Sequence, residues 1–112
     1  MLSIAAAKLG FAPILAVDNE EDAVETARAN ARVNGAEVTV VLADALSEEL
    51  PASDVAVANI AFDVVERLIP RLDARLAIVS GYLHVDTPRV TGWRRVDRRD
   101  REGWAADLLE RI

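Results

Sequence analysis

The chain has 112 residues, 52% hydrophobic and 29% charged, a balance that excludes a disordered chain and gives residues 1–112 room for one small domain. Its formal net charge of -6 argues against direct nucleic-acid binding, because phosphate contacts need a cationic surface, and is compatible with a basic protein partner. The absence of cysteine removes disulfides and thiolate metal sites. No apolar run approaches the ~18 residues of a membrane span, and no basic lead-in marks a secretory signal, which leaves the cytoplasm as the default location.

Leu2, Ala5, Ala6 and Leu9 recur at helical spacing, and Gly10 can supply a left-handed stop. No cap or loop precedes this helix, so the expectation is that Met1 is an internal start and that the domain begins upstream. Residues 13–17 (PILAV) form an apolar run with the length of a strand buried on both faces, ending at Asp18. Asn19 offers a helix cap, Glu20, Glu21 and Asp22 put negative charge on the first turn, and Val24, Ala27 and Ala31 make the inner stripe. Asn34-Gly35 ends that helix.

Residues 38–43 (VTVVLA) predict a second buried strand before Asp44, and residues 55–58 (VAVA) a third before Asn59. Ala61, Val65, Leu68 and Leu72 line one face of the next helix, with Pro70 tightening its end. A fourth strand, residues 76–79, runs into Ser80-Gly81. After a connector at residues 85–92, two extended runs flank a turn around Arg101-Glu102-Gly103, which reads as an antiparallel hairpin carrying Trp93 and Trp104 on opposite arms. Cross-strand or core packing is the expectation for both indoles.

Strand and helix alternate in the pattern of an open, mostly parallel α/β sheet, whose ligands bind beyond the carboxyl ends of the strands. Three strands end there in a polar side chain. Asp18 can accept hydrogen bonds from ribose hydroxyls or simply help cap the next helix. Asp44 can accept from an adenine amino group, with Ala45-Leu46 flanking the ring, or be an ordinary loop acid. Asn59 can accept from a substrate amine or cap the helix beginning near Ala61. His84, the single histidine, has no acid or nucleophile at recognisable spacing and reads as a surface residue. Arg94, Arg95, Arg98, Arg99 and Arg101 alternate with Asp97, Asp100 and Glu102, which favours a solvated, ion-paired hairpin over an RNA site. No catalytic nucleophile or metal motif is evident.

In order, LSIAAAKLG, AVDN, ARANARVNG, LADAL, VANIAFDVVERLIPRL, SGYL and a Trp-containing hairpin resemble the ribosomal protein L11 methyltransferases, over essentially the whole chain. The resemblance implies a partial Rossmann-like methyltransferase sheet, mostly parallel with a C-terminal antiparallel hairpin, lacking the first strand and its glycine-rich loop. It implies S-adenosylmethionine as cofactor. Asp18 and Asn19 would lie at the ribose, Asp44 and Ala45 at the adenine, and Asn59 near the methionine end and the incoming amine. The substrate would be a ribosomal protein, and the reaction in-line attack of a neutral amine on the sulfonium methyl, which needs alignment and desolvation but no nucleophilic side chain. The helix that the family carries after SGYL is replaced by a short loop.

The family's missing strand is central, so the strands ending at Asp18 and Asn59 would either close up or leave the segment poorly folded. The expectation is therefore an incomplete and inactive fragment. The competing expectation is a non-catalytic interaction module completed by a strand from a partner chain.

Overall fold

The structure, a computed structural model, describes residues 2–112; Met1, and with it the expectation of an internal start, lies outside them. The chain divides into two compact units that meet in sequence between Glu49 and Leu50.

The first unit runs α1 (Leu2–Lys8), β1 (Leu15–Asp18), α2 (Glu21–Val33), β2 (Thr39–Leu42). β1 and β2 pair in parallel from Leu15↔Thr39 to Asp18↔Leu42, with α2 as the crossover that parallel pairing requires. Val24 and Ala31 of the predicted stripe are buried. Asn34-Gly35 ends α2 as expected: the Ala36 N–H donates to the Ala31 carbonyl at 2.9 Å and the Gly35 N–H to the Arg32 carbonyl at 3.2 Å. These are the paired bonds of a Schellman motif, with Gly35 at φ +63°. Arg28 reaches from α2 to β2 and donates through Nε and Nη2 to the Val40 carbonyl at 3.2 and 2.8 Å. Thr39 and Ala43 bond toward β1, so Val40 faces the opposite, unpaired edge, and Arg28 blunts that edge there.

Two expectations for this unit are corrected. Neither strand is buried on both faces: Leu15 and Leu42 are exposed, and Val40 is the one fully buried strand residue. Four-residue strands in a two-stranded sheet leave their ends and outer edges open to water. In α1, Leu2 and Leu9 are exposed and Ile4 is buried, so the buried stripe lies about half a turn from the predicted one.

The second unit runs β3 (Ser53–Asn59), α3 (Phe62–Leu68), a 3-10 turn over Ile69–Arg71, β4 (Ala74–Leu83), β5 (Trp93–Arg101), β6 (Trp104–Arg111). Its sheet has the order β3-β4-β6-β5, with β3 and β4 parallel and the hairpin antiparallel. Glu102 and Gly103 join the hairpin with φ of +53° and +86°, the left-handed pair that a two-residue hairpin loop demands. β4 continues through Ser80-Gly81 to Leu83, four residues beyond the predicted end. No helix intervenes between β4 and β5 among the described residues, in line with the short loop expected there.

The core of this unit is one cluster: Val65 and Ile69 above the sheet, Ala77, Val79 and Tyr82 on β4, Ala105 and Leu109 on β6. β6 alternates, burying Ala105, Asp107 and Leu109. β5 does not, because it is the sheet edge and a bulge at Val96 breaks its register. Trp93 packs on the core, as expected; Trp104 is 57% exposed, which corrects the expectation for that indole. Trp93 lies opposite Arg111 and Trp104 opposite Arg101, so the two indoles sit at opposite ends of the hairpin. Among the described residues β1 pairs with β2 alone and β3 with β4 alone.

Candidate functional site

In the first unit the parallel pairing of β1 and β2 puts their carboxyl ends side by side. The Ala43 N–H donates to the Asp18 carbonyl at 2.9 Å, which draws Asp18, Asn19, Asp44 and Ala45 to one edge of that sheet. Asp18 is exposed, and its Oδ1 accepts the Glu20 N–H at 3.0 Å. Asn19, the predicted cap, does not take that position; Glu20 does, with extended backbone and no side-chain bond to the helix. The Asp18 carboxylate bonds the Glu20 N–H ahead of the helix, and no side chain caps the first turn. A carboxylate offers about four acceptor positions, so Asp18 keeps capacity for a diol.

Asp44 follows the end of β2 by two residues. Its Oδ1 accepts the Leu46 N–H at 2.9 Å, and its carbonyl accepts from Ser47 and Glu48 at 3.1 and 2.9 Å. Its own N–H donates to Glu48 Oε2 at 2.6 Å. The result is a tight turn with Ala45 and Leu46 half-buried beside an exposed carboxylate. Both acids thus serve their own loops and still present oxygen to solvent.

In the second unit Asn59 is the last residue of β3, opposite Ser80 on β4. The Ile60 N–H donates to the Ser80 carbonyl at 2.9 Å and closes the strand ends together. Asn59 does not cap α3; Ala61 occupies the N-cap, without a side-chain bond. Its carboxamide has no hydrogen-bond partner among the described residues. Gly81 lies against it: an added Cβ would come 2.7 Å from Asn59 Oδ1 and 2.5 Å from the Ile60 carbonyl oxygen, so only glycine fits, at φ +105°. Asn59, Ser80 and Gly81 open into a concavity of about 630 Å³, walled across by Trp104, Arg99 and Arg101. Asp100 lines it as well, so the concavity combines a free carboxamide, a hydroxyl and an indole with charged groups of both signs, which suits it to bind and orient a small polar group.

Sequence reasoning missed Gly81 and Trp104 as wall residues, and it missed Asp107. Asp107 is 1% exposed. Its Oδ2 accepts the Tyr82 hydroxyl at 2.6 Å, and its two oxygens accept from Arg98 Nε and Nη2 at 2.8 and 2.9 Å. Arg98 also donates to the carbonyls of His84 and Asp86 at 2.8 and 2.6 Å. Arg98 is therefore no solvated hairpin charge, which corrects that part of the expectation; Arg94–Glu110 and Arg99–Asp97 are the exposed pairs foreseen. Burial alone would raise the Asp107 carboxyl, but the hydrogen bonds from Arg98 and Tyr82 hold it below the usual carboxylate range. Burial, then the bond to Asp107, pushes the Tyr82 phenol well above its ordinary value. The bond to Asp107 raises Arg98. His84 is exposed, as expected. Among the described residues no group of three His, Asp or Glu could hold a metal, and no helix is long and apolar enough to cross a membrane.

The family model described as ribosomal protein L11 methyltransferase (PrmA) matches residues 1–107. A ribosomal protein L11 methyltransferase of Thermotoga neapolitana is 32% identical over 99% of this chain and 46% of its own length. That of Lacticaseibacillus paracasei is 35% identical over 95% of this chain and 38% of its own length. The chain therefore spans about half the length, or less, of these curated relatives. Among solved structures, the ribosomal protein L11 methylase of Lactobacillus delbrueckii subsp. bulgaricus superposes with a TM-score of 0.86 at 26% identity, over 98% of this chain and 63% of that one. The 16S rRNA methyltransferase RmtF, solved with S-adenosyl-L-homocysteine, shares the fold at a TM-score of 0.76 and 18% identity, over 99% of this chain and 52% of that one.

Proposed function

The chain belongs to the ribosomal protein L11 methyltransferase family, and we propose that it carries out part of an S-adenosylmethionine-dependent methylation of amines on a ribosomal protein in the cytoplasm. The activity is that of the family's longer proteins, of which this chain spans about half. The residues present fit the cofactor chemically. Asp18 and Asp44 are exposed acceptors at one sheet edge, matched to ribose hydroxyls and to the adenine amino group; Asn19 adds a polar flank and Ala45 a small apolar one. When bound, S-adenosylmethionine supplies an electrophilic methyl group on a sulfonium.

Asn59 is assigned to the substrate amine. Its Oδ1 accepts an amine N–H and directs the nitrogen lone pair, and Ser80 and the Trp104 indole narrow the positions the amine can take. The observation that carries this reading is the unpartnered Asn59 carboxamide, at a strand end and facing the concavity, with its helix capped elsewhere. Methyl transfer to a lysine-rich ribosomal protein, followed by mass spectrometry on the family-length protein, tests it. Asn59→Ala should lower kcat/KM by about a hundredfold, the scale of one lost alignment contact. An unchanged kcat/KM removes Asn59 from the reaction.

A second reading rests on the outer edge of β3, which has no partner among the described residues and exposes Val57. Such an edge accepts a strand from another chain, making the protein a module that needs a partner for its fold. Light scattering during size exclusion separates the two: a protease-resistant monomer argues against the partner strand.

A further inference from the structure

The concavity at Asn59 owes its shape to a bulge. The register of β4 against β6 slips between Ser80 and Tyr82, so Gly81 pairs with nothing and is pressed against Asn59 and Ile60 instead. A bulge disrupts the ladder and lets a strand bend, so something must fix its two sides. On the near side, the Ser80 carbonyl accepts the Ile60 N–H. On the far side stands Tyr82, buried, with its ring edge-on to Phe62 at a centroid distance of 5.4 Å. Phe62 opens α3, three residues after Asn59, so Tyr82 also braces the chain that leaves β3.

We propose that Asp107 is a positioning residue for the Asn59 concavity, acting through Tyr82 and Arg98 to hold the Gly81 bulge against Asn59 and Ile60. Asp107 does not line the concavity. It sits on the core face of β6, opposite Val79 on one side and Arg98 on the other. From there one carboxylate fixes three points along a single stretch of chain: Tyr82 directly, and His84 and Asp86 through the two arms of Arg98. Both charged groups are largely removed from water, Asp107 at 0% and Arg98 at 18% side-chain exposure, and their bond is the short, forked kind that fixes orientation as well as distance.

Stability alone does not account for this choice of residue. A buried ion pair is often replaceable by apolar side chains of similar volume at no cost, and its neighbours Ala105 and Leu109 on the same face are apolar. What an apolar residue at 107 cannot supply is a fixed acceptor for the Tyr82 hydroxyl and a fixed anchor for Arg98. The proposal rests on reading the Asn59 concavity as the amine site, but its test requires neither cofactor nor substrate.

Amide hydrogen exchange on the nitrogen-15-labelled chain provides that test. The Ile60 amide reports the closed bulge, the His84 amide, bonded to the Gly103 carbonyl, reports the far side, and the Val65 amide, bonded to the Ala61 carbonyl, reports α3. In Asp107→Asn and in Arg98→Lys, exchange at Ile60 and His84 should rise at least about tenfold more than at Val65, as for a local opening beyond any global loss of stability. The Asn59 side-chain amide resonances should shift and broaden together with them. Tyr82→Phe removes a single hydroxyl and carries the same test at Ile60 if the charge variants do not fold. Unchanged exchange at Ile60, or an equal rise at Ile60 and Val65, overturns the positioning role and leaves Asp107 a general core residue. Raised exchange at Ile60 and His84 with unchanged methyl transfer by the same variant of the family-length protein would instead count against the amine-site reading alone.

Discussion

Gly81→Ala is the substitution whose cost the structure specifies most closely. A Cβ at that position falls 2.5 Å from the Ile60 carbonyl oxygen, 2.7 Å from Asn59 Oδ1 and 2.8 Å from the Ile60 nitrogen. Two of these are backbone atoms of the neighbouring segment, so relief requires either displacing Asn59–Ile60 or opening the bulge. Overpacking of this kind costs about 1–3 kcal/mol. The φ of +105° adds backbone strain for any residue with a side chain, about 1–3 kcal/mol. The sum is a loss of about 2–6 kcal/mol, a large part of the stability of a small domain. Gly92→Ala supplies the control, because Gly92 has φ +87° but nothing within 4 Å of an added Cβ, so it carries the strain without the clash. Urea unfolding of the two variants, read by the fluorescence of Trp93 and Trp104, both in the second unit, gives the difference directly. Gly81→Ala should lie about 1–3 kcal/mol below Gly92→Ala with an unchanged m value. Equal midpoints would refute the close approach of Gly81 to Asn59 and Ile60.

Asp107→Asn should cost about 3–5 kcal/mol, because it leaves Arg98 and Tyr82 without the charge they were built around; chemical denaturation measures it. The folded Asp107 carboxyl lies below its ordinary value of 3.8, so the unfolded chain binds the extra proton first. Its stabilisation is present above about pH 4 and lost as pH falls through the folded value, and Asp107→Asn should remove that acid limb from a stability–pH curve. Tyr82 is shifted the other way, so its contribution is complete below about pH 10 and declines above it; Tyr82→Phe should flatten the alkaline limb. Trp104→Ala should change stability by less than about 1 kcal/mol, as the indole is 57% exposed, while weakening capture of an amine substrate in a KM measurement.

The order of elements was legible because each is encoded locally. Asn34-Gly35 carries its own Schellman stop, and Glu102-Gly103 its own hairpin turn, so both appear where the sequence puts them. The placing of Asp18, Asp44 and Asn59 at or just beyond strand ends was legible for the same reason: a polar residue at the end of an apolar strand is a local signal. What escaped was non-local. Gly81 stands in a sequence that reads as a strand end, and its meaning comes from Asn59-Ile60 on another strand. Asp107 lies in an extended run whose alternation places it with Ala105 and Leu109 on one face. A charge on an apolar face was the available clue, and antiparallel pairing of the hairpin would have set Arg98 opposite it. Arg98 was hidden among four arginines that remain at the surface. The cap at Asn19 failed because the helix starts one residue later, with Glu20 at the N-cap, and helix boundaries shift by a residue without a change in composition.

The central claim is that the acids at the carboxyl ends of β1 and β2 receive the adenosyl group of S-adenosylmethionine. Titration calorimetry with S-adenosylhomocysteine tests it most directly, on the family-length protein and on the same protein carrying Asp18→Ala or Asp44→Ala. One molecule should bind per chain, and Asp18→Ala should weaken binding at least about tenfold, the equivalent of 1.4 kcal/mol for lost hydrogen bonds to a charged acceptor. A folded protein that binds nothing, or binds equally well without either carboxylate, contradicts it.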